Sequence, residues 1–302
     1  MSYPNNLAYS ERTVQVFYAN NGSMQVWNKP LNARFVHFYV IGGGGGGGAG
    51  TTGAAGGSRN GGGGGAGSAI TIGLFQANVL PDILYLKVGA GGAGGTQGAT
   101  TSPAYNGTTG SISYVKIDPA TGITAQNVVL ASALASASAG GNGGGAGGGG
   151  GTAPTAWTAV NSIFNDLGLV TVLAGDSGVA SNTSKTLSRI CSGGAGGGSC
   201  VTSTANSGGT LDAAGFISDV LGGPNTGGAG SGGVATNLPS MYGNVYQPMY
   251  FLSGAGGGAI NSGVGGVGGN GSYGAGGGGG GAGTTGGGGG AGGDGLIIIT
   301  TF

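Results

Sequence analysis

Glycine tracts restrict the folding of this chain more than any other feature. Of its 302 residues, 83 are glycine. They gather in about eleven tracts, at 42–50, 53–57, 61–67, 89–98, 140–151, 193–198, 222–233, 254–258, 263–271, 274–283 and 286–295. A glycine tract buries no side chains, and ordering one residue of backbone costs about 1–2 kcal/mol. Any ordered structure in the tracts must therefore be held by hydrogen bonds of the backbone itself.

Flexible linkers are the main alternative for glycine-rich sequence. Disordered chains combine low hydrophobicity with high net charge. Here the net charge is zero, charged residues make up 5% of the chain and hydrophobic residues 38%. Composition alone therefore leaves order and disorder open, and the pattern along the chain has to decide.

Hydrophobic strands bracket the glycine tracts. Residues 34–41 are mostly aromatic or β-branched and run directly into Gly42, while residues 296–302 begin directly after Gly295. Such runs are typical of strands covered on both faces. Further strands are predicted at 13–18, 69–72, 85–88 and 111–117. We expect one small β-sheet, and the chain between its strands must return to the same place, which argues against a free linker.

Packed polyglycine II helices are the structure that we predict for the tracts. An extended helix with three residues per turn rises about 3.1 Å per residue and directs its N–H and C=O groups outward. Without Cβ atoms such helices can approach closely and hydrogen-bond to several neighbours, at about 1 kcal/mol net per bond. Tracts of nine or ten residues would form rods about 30 Å long. The predicted fold class is mainly irregular and β, with a small sheet feeding a bundle of these helices.

The predicted domain organisation is a single compact unit. It comprises an N-terminal β segment, a bundle that carries three inserts, and a closing strand: 1–41, 42–295 with inserts at 152–190, 201–221 and 234–253, and 296–302. One short α-helix is predicted at 156–167, where apolar residues recur at helical spacing before Gly168. The apolar segment 211–221 fits a helix or a strand.

The two ends of the tract region resemble a known family. Gln25–Pro30, the strand Phe35–Ile41 and the run Gly42–Gly48 resemble the opening of the glycine-rich domain of phage tail-fibre and related virion proteins. Gly289–Ile299, with the sequence GGAGGDGLIII, resembles the ending of that domain. The layout is similar to tail-fibre tip adhesins, in which packed polyglycine helices display recognition loops. The resemblance implies a virion structural protein of the tail-fibre or spike type, with a role in host attachment and no catalytic role.

Aromatic residues in the inserts are the candidate contact residues. They are Trp157, Tyr242, Tyr246, Tyr250 and Phe251. Tyrosine-rich loops on a rigid scaffold suit recognition because they offer a large contact area for little ordering entropy. The expected partners are other virion proteins, a host receptor of glycan or protein type, and further copies of the chain. The alternative is that these side chains pack over the ends of the bundle or in a subunit interface.

Cys191 and Cys200 flank one glycine tract. They could form a disulfide that staples the tract, or they could be two small buried thiols. The second interpretation is favoured for a chain without a recognised signal peptide.

Catalytic and metal sites find little support in the sequence. Gly175–Gly178 has the sequence GDSG, known around protease nucleophiles, but the only histidine, His37, lies in the middle of a predicted strand. Asp294 is expected to cap a tract by accepting N–H bonds, since one carboxylate makes a poor metal site. We therefore predict no enzyme, no metal and no cofactor.

Nucleic acid and membrane are not expected partners. The eight basic residues are scattered, whereas a phosphate-binding surface needs them clustered. No run approaches the ~18 apolar residues that span a bilayer, and no signal peptide is recognised at residues 1–6. The expected location is the virion surface, after synthesis in the host cytoplasm.

Two other functions stay open. The first is a purely structural capsid or tail decoration protein whose aromatic loops contact other virion subunits. The second is an ice-binding glycine-rich protein, since glycine-helix bundles also occur in that class. Ice binding would require a flat, regular array of threonine or alanine, and we expect none from the spacing in the tracts.

Overall fold

The computed structural model describes residues 13–98, 105–120, 122–124, 126–132, 148–152, 164–213, 218–233, 235–236 and 250–302. The strands in this part of the chain are β1 Thr13–Tyr18, β2 Gln25–Asn28, β3 Phe35–Ile41, β4 Ile70–Gln76, β5 Ile83–Lys87, β6 Tyr114–Lys116, β7 Val128–Ala131, β8 Gly168–Leu173, β9 Lys185–Thr186, β10 Cys200–Val201, β11 Thr204–Ala205, β12 Leu211–Asp212, β13 Ala235–Thr236, β14 Tyr250–Phe251 and β15 Leu296–Thr301. Two short 3-10 turns lie at Ala77–Val79 and Asn165–Leu167.

The two ends of the described chain meet in one antiparallel sheet. Its strand order is β1-β15-β3-β4-β8, so the last strand lies between the first and the third. Ile298 pairs with Val16 on one side and with Tyr39 on the other. The mainly β and irregular fold class, with a sheet built from both chain ends, is confirmed.

A second sheet corrects the expectation of a single one. Strands β2, β5, β6 and β7 form a four-stranded antiparallel sheet. The two sheets share a core in which Phe38 lies edge-on to Trp27 and to Phe75, with ring centroids 6.1 and 5.9 Å apart. The sequence prediction missed β2 and β7, which have only four residues each, and β8, which follows directly after the segment predicted as a helix. The result is a two-layer sandwich with a side-chain core.

The predicted α-helix at 156–167 lies mostly outside the described residues, in 153–163. Its last three residues form the 3-10 turn, and Gly168 begins β8 at the edge of the main sheet. The insert 152–190 therefore contributes a strand to the sandwich. The ambiguous segment 211–221 contains β12, and Leu211 forms an isolated bridge with Val220.

Hydrogen bonds of the glycine tracts repeat every three residues. In the tract 42–50 and the residue that follows it, successive amides donate to three different neighbours. The amides of residues 43, 46 and 49 donate to the carbonyls of 111, 108 and 105. Those of residues 44, 47 and 50 donate to the carbonyls of 293, 290 and 287. Those of residues 45, 48 and 51 donate to the carbonyls of 66, 63 and 60. A strand alternates every two residues, whereas a period of three is the period of an extended three-residue helix.

The tract 274–283 is the centre of this arrangement, and all of its residues are buried. It hydrogen-bonds to six neighbouring segments. It donates to 192–198, 45–51 and 266–269, and it accepts from 62–68, 254–260 and 287–293. Six neighbours around one element is hexagonal packing, with the hydrogen bonds running between elements and not within them.

Glycine is required in the central tract by the neighbouring backbones. A Cβ atom on Gly277, Gly278 or Gly279 would lie about 2.0–2.1 Å from a carbonyl oxygen of a different neighbour: Gly290, Ala255 and Gly62 respectively. Consecutive positions thus face three different directions, as a three-residue period demands. Even the smallest side chain would push these segments apart.

Segments at the edge of the bundle need far less glycine. In 105–111 only Gly107 and Gly110 are glycine, three residues apart, and a Cβ atom on either would lie 2.2 Å from a carbonyl oxygen of the tract 42–50. Residues 176–182 likewise bond to the tracts 61–67 and 193–198. These segments belong to the bundle although their composition did not predict it.

A second apolar cluster joins the five-stranded sheet to the bundle. Ile41, Leu296 and Ile298 face away from the sandwich core and pack with Phe251 and Ala275. Since β3 continues into Gly42 and β15 begins after Gly295, the sheet also sets the spacing between the start of the tract 42–50 and the end of the tract 286–295.

Candidate recognition surfaces

The tyrosine-rich segment lies outside the described residues, but the residues that flank it on both sides are described. Strands β13 and β14 pair antiparallel, so that Ala235 lies opposite Phe251 and Thr236 opposite Tyr250. The residues on either side of the segment 237–249, which holds Tyr242 and Tyr246, therefore pair with each other in a two-stranded ladder. Trp157 also lies outside the described residues, in 153–163.

Phe251 is a core residue. Its side chain is fully buried and lies edge-on to Tyr273, with ring centroids 6.1 Å apart. It packs against the sheet, so it cannot offer a surface to a receptor, and its place among the contact candidates is corrected. Tyr250 is half-buried against Leu211 and Leu252 and keeps part of its surface accessible.

Both cysteines are free, buried thiols. The tract between them is extended, because the amides of Gly194, Gly197 and Cys200 bond in turn to residues 65, 62 and 59. Nine residues at about 3.1 Å each separate the thiols by far more than a disulfide spans. Burial raises the pKa of Cys191 to about 12 and also raises the pKa of Cys200, which the nearby guanidinium of Arg59 partly offsets.

Asp294 bridges two tracts. Its carboxylate accepts the amide proton of Gly91 at 2.8 Å, and its carbonyl accepts that of Gly274 at 2.8 Å. This confirms that Asp294 accepts backbone N–H bonds. The amide that its side chain caps belongs to the tract 89–98 and not to the tract that contains Asp294. Asn270 does the same for Ala291 at 2.9 Å.

The GDSG segment is part of the bundle. The carboxylate of Asp176 forms a 2.8 Å ion pair with Lys185 and accepts the hydroxyl proton of Ser188 at 3.0 Å. Its backbone carbonyl accepts the amide of Gly67 at 2.9 Å. His37 lies in β3, opposite Thr300 of β15 and Leu74 of β4.

Metal clusters and membrane-spanning helices are both absent from the described residues. In that part of the chain, no three His, Cys, Asp or Glu side chains gather as a metal would need. It also contains no helix with the length and hydrophobicity to cross a membrane.

An outer layer of the bundle presents exposed positions at a regular three-residue spacing, although they do not form a uniform array of threonine or alanine. Three-residue steps bring Ala90, Ala93 and Thr96 to the surface of one tract, and Val264, Val267 and Asn270 to the surface of another. The tract 286–295 lies between these two and bonds to both. We call these six residues, with Ala291 and Asp294, the outer face.

The outer face is mostly small and apolar. Val264 and Val267 are 50% and 42% exposed, and the one charged side chain of this set, Asp294, is already bonded to Gly91. The three-residue spacing of these exposed residues is visible in the sequence, in the segments GVGGVGGN and GAGGAGGT. It was missed because only the packing shows which third residue points outward.

One comparison with known proteins agrees with the fold. Residues 19–168 match the family model of a glycine-rich domain, so this part of the chain is a glycine-rich domain. The matched span contains β2–β7 and the first tracts of the bundle. No curated protein matches the chain.

Proposed function

We propose that the tracts run as polyglycine II helices and form a rigid bundle that displays loops. The six hydrogen-bonded neighbours of the tract 274–283 carry this proposal. Each neighbour is held at three-residue intervals, so the positions along the bundle are fixed without a side-chain core. A scaffold of this kind suits a protein that must hold surface loops in place under mechanical load.

On that scaffold we propose a virion structural protein that takes part in host attachment, of the tail-fibre or spike type. The insert 234–253 supports this role because its central segment contains two tyrosines and the residues that flank this segment pair in the β13–β14 ladder. Tyr250 lies at the anchored end with part of its surface accessible. The candidate contact residues are therefore Tyr242, Tyr246 and Tyr250, with Trp157 in the other insert.

Cell binding tests this proposal. A fluorescent fusion of the full chain is added to a panel of bacterial strains, beside a variant in which residues 238–248 are replaced by a glycine-serine loop of equal length. A matched control replaces Thr202 and Ser203, in the turn between β10 and β11, by glycine and serine. Strain-selective binding that is lost only in the first variant supports attachment. Binding to no strain, or equal binding by all three proteins, rejects it.

Particle labelling separates attachment from the decoration alternative. Antibodies against the protein should label the distal end of a tail or spike in electron micrographs of virions that carry it. Labelling spread over the capsid or tail shaft, together with no binding to cells, favours a decoration protein that contacts other virion subunits.

The outer face favours ice binding as a second candidate. It presents exposed residues every three positions on adjacent tracts, a regular spacing of the kind that this function requires, although valine, asparagine and aspartate stand among the alanine and threonine. Inhibition of ice recrystallisation by the native protein, and its loss in Val267→Lys, would support this candidate. No inhibition, or equal inhibition by Val267→Lys, rejects it.

A further inference from the structure

A cleft opens where the four-stranded sheet meets the edge segment 105–111 of the bundle. It has a volume of about 530 Å³, within the range of small-molecule sites, about 300–1,000 Å³. Its lining combines one ammonium group, three hydroxyl groups and two isoleucine side chains: Lys87, Thr109, Gly110, Ser111, Ile112, Tyr114 and Ile123. None of these lining residues belongs to the outer face, although the amide of Ser111 donates to the carbonyl of Ala90 at 2.8 Å.

The strand register brings the key side chains of the cleft together. Lys87 at the end of β5 lies directly opposite Tyr114 at the start of β6, so both side chains leave the sheet on the same face. Ile112 precedes Tyr114 by two residues. Thr109 and Ser111 are exposed, whereas the Cβ position of Gly110 between them faces the tract 42–50.

Lys87 provides the positive charge of this cleft. The chain around it contains no aspartate or glutamate over residues 88–115 and 119–147. Asp118, the carboxylate between those two spans, lies 3.5 Å from the amine of Lys116, which is fully buried. Among the described residues, no carboxylate forms an ion pair with Lys87, so its half-buried ammonium group can receive an anion.

Tyr114 supplies a hydrogen-bonding group on the wall. Its side chain is 6% exposed, and burial raises the pKa of its phenol. The hydroxyl therefore stays protonated at neutral pH. With Thr109 and Ser111 it offers hydroxyl partners around an apolar floor made by Ile112 and Ile123.

We propose that this cleft binds one anionic sugar unit, a monosaccharide that carries a carboxylate or a phosphate. A sugar ring presents hydroxyls at its edge and C–H groups on its faces. The hydroxyls can bond to the hydroxyl groups of the cleft, and the C–H groups can pack on its isoleucine side chains. The acidic group pairs with Lys87. A nucleotide fits less well, because the buried ring of Tyr114 leaves no open face for a base and the cleft supplies one free cation.

Calorimetric titration tests the proposal on the full chain. The probes are glucuronic acid, N-acetylneuraminic acid and glucose 6-phosphate, with glucose as the neutral control. We expect at least one acidic sugar to bind about tenfold more tightly than glucose, the effect of one charge-assisted hydrogen bond. Binding should weaken as salt is added. The acidic probe that binds best decides between the carboxylate and the phosphate.

Two variants and a map of amide chemical shifts locate the site. Lys87→Met should lose the preference for the acidic sugar, whereas the matched control Arg189→Met removes one exposed positive charge outside the cleft and should bind as the native protein does. Amide shifts on the native protein, which need no variant to fold, should concentrate at 109–114. Failure of all three acidic sugars to bind, or shifts confined to other residues, overturns the proposal. Unchanged binding by a folded Lys87→Met variant also overturns the proposal. None of these outcomes bears on the attachment role.

Discussion

The sandwich and the glycine bundle are held together by different means. In the sandwich, side chains such as Phe38, Trp27 and Phe75 fill the space between two sheets. In the bundle, the tract 274–283 has almost no side chains to bury and instead shares hydrogen bonds with six neighbours. A side-chain core loses stability when volume is removed, whereas a backbone lattice loses stability when volume is added. The two regions should therefore respond in opposite ways to the size of a substitution.

Removing volume from the sandwich should produce the largest effect. Phe38→Ala should lower the free energy of unfolding by about 3–5 kcal/mol, because it leaves a cavity between two aromatic partners. Chemical denaturation monitored by tryptophan fluorescence measures this loss, since Trp27 is one of those partners. A loss below about 1 kcal/mol would mean that the two sheets do not share this core.

Adding a single methyl group to the bundle should cost nearly as much. In Gly279→Ala the new Cβ atom lies 2.0 Å from the carbonyl oxygen of Gly62 and 2.8 Å from the amide nitrogen of Gly197. We expect a loss of about 3 kcal/mol, the upper end for overpacking. The opposite change in the sandwich, Ile297→Val, should cost only about 0.5–1.5 kcal/mol.

Gly232→Ala is the matched control for the bundle. The nearest atom to its Cβ position is the carbonyl oxygen of Asn270 at 3.6 Å, which is an ordinary contact distance. Its stability should change by less than about 0.5 kcal/mol. Equal effects of Gly279→Ala and Gly232→Ala in the same denaturation assay would show that the tracts are not packed as described.

Removing a side-chain bridge between tracts should have a smaller effect. Asp294→Ala breaks the 2.8 Å bond to the amide of Gly91 and should cost about 1 kcal/mol. Asp294→Asn keeps an acceptor and should recover most of the loss. If Asp294→Asn is as unstable as Asp294→Ala, the carboxylate acts through its charge and not through this bond.

Ionisation of Cys191 should lower stability only at alkaline pH. Burial raises its pKa from 9.0 to about 12, so below pH 9 the thiol is protonated in both the folded and the unfolded chain. Above pH 9 only the unfolded chain ionises, and stability falls by up to about 1.4 kcal/mol per pH unit until the folded pKa is reached. Denaturation between pH 8 and 10.5 should show a shallower decline for Cys191→Ala, and parallel curves would contradict the burial of the thiol.

The sequence predicted only part of the sandwich. The long apolar runs β3 and β15 were evident, but the four residues of β2 carry little signal until β5 lies beside them. For the candidate sites, the spacing of Val264 and Val267 was visible while the direction of their side chains was not. The cleft could not be predicted, because Lys87 and Thr109 come from different elements and meet only in the folded chain.

Glycine content along a tract reports its depth in the bundle. The central tract 274–283 has glycine or alanine at every position, and the outer tract 263–271 has a larger residue at every third position. The edge segment 105–111 has glycine only at every third position. This relation follows from the number of neighbours that each segment meets, and it can be read from a sequence once the three-residue period is recognised.

Amide hydrogen exchange, resolved by residue, tests the backbone lattice most directly. Every residue from 274 to 283 donates a backbone hydrogen bond, so the whole tract should exchange as slowly as the strands β3 and β15. In 263–271 the amides of residues 265, 266, 268, 269 and 271 donate to neighbouring tracts and should be protected, whereas Val264 and Val267, which face outward, should exchange rapidly. Selective labelling of valine and glycine separates these signals. A three-residue alternation in the outer tract beside continuous protection in the central one is the result we predict, and exchange of both tracts at free-chain rates would contradict the packed bundle.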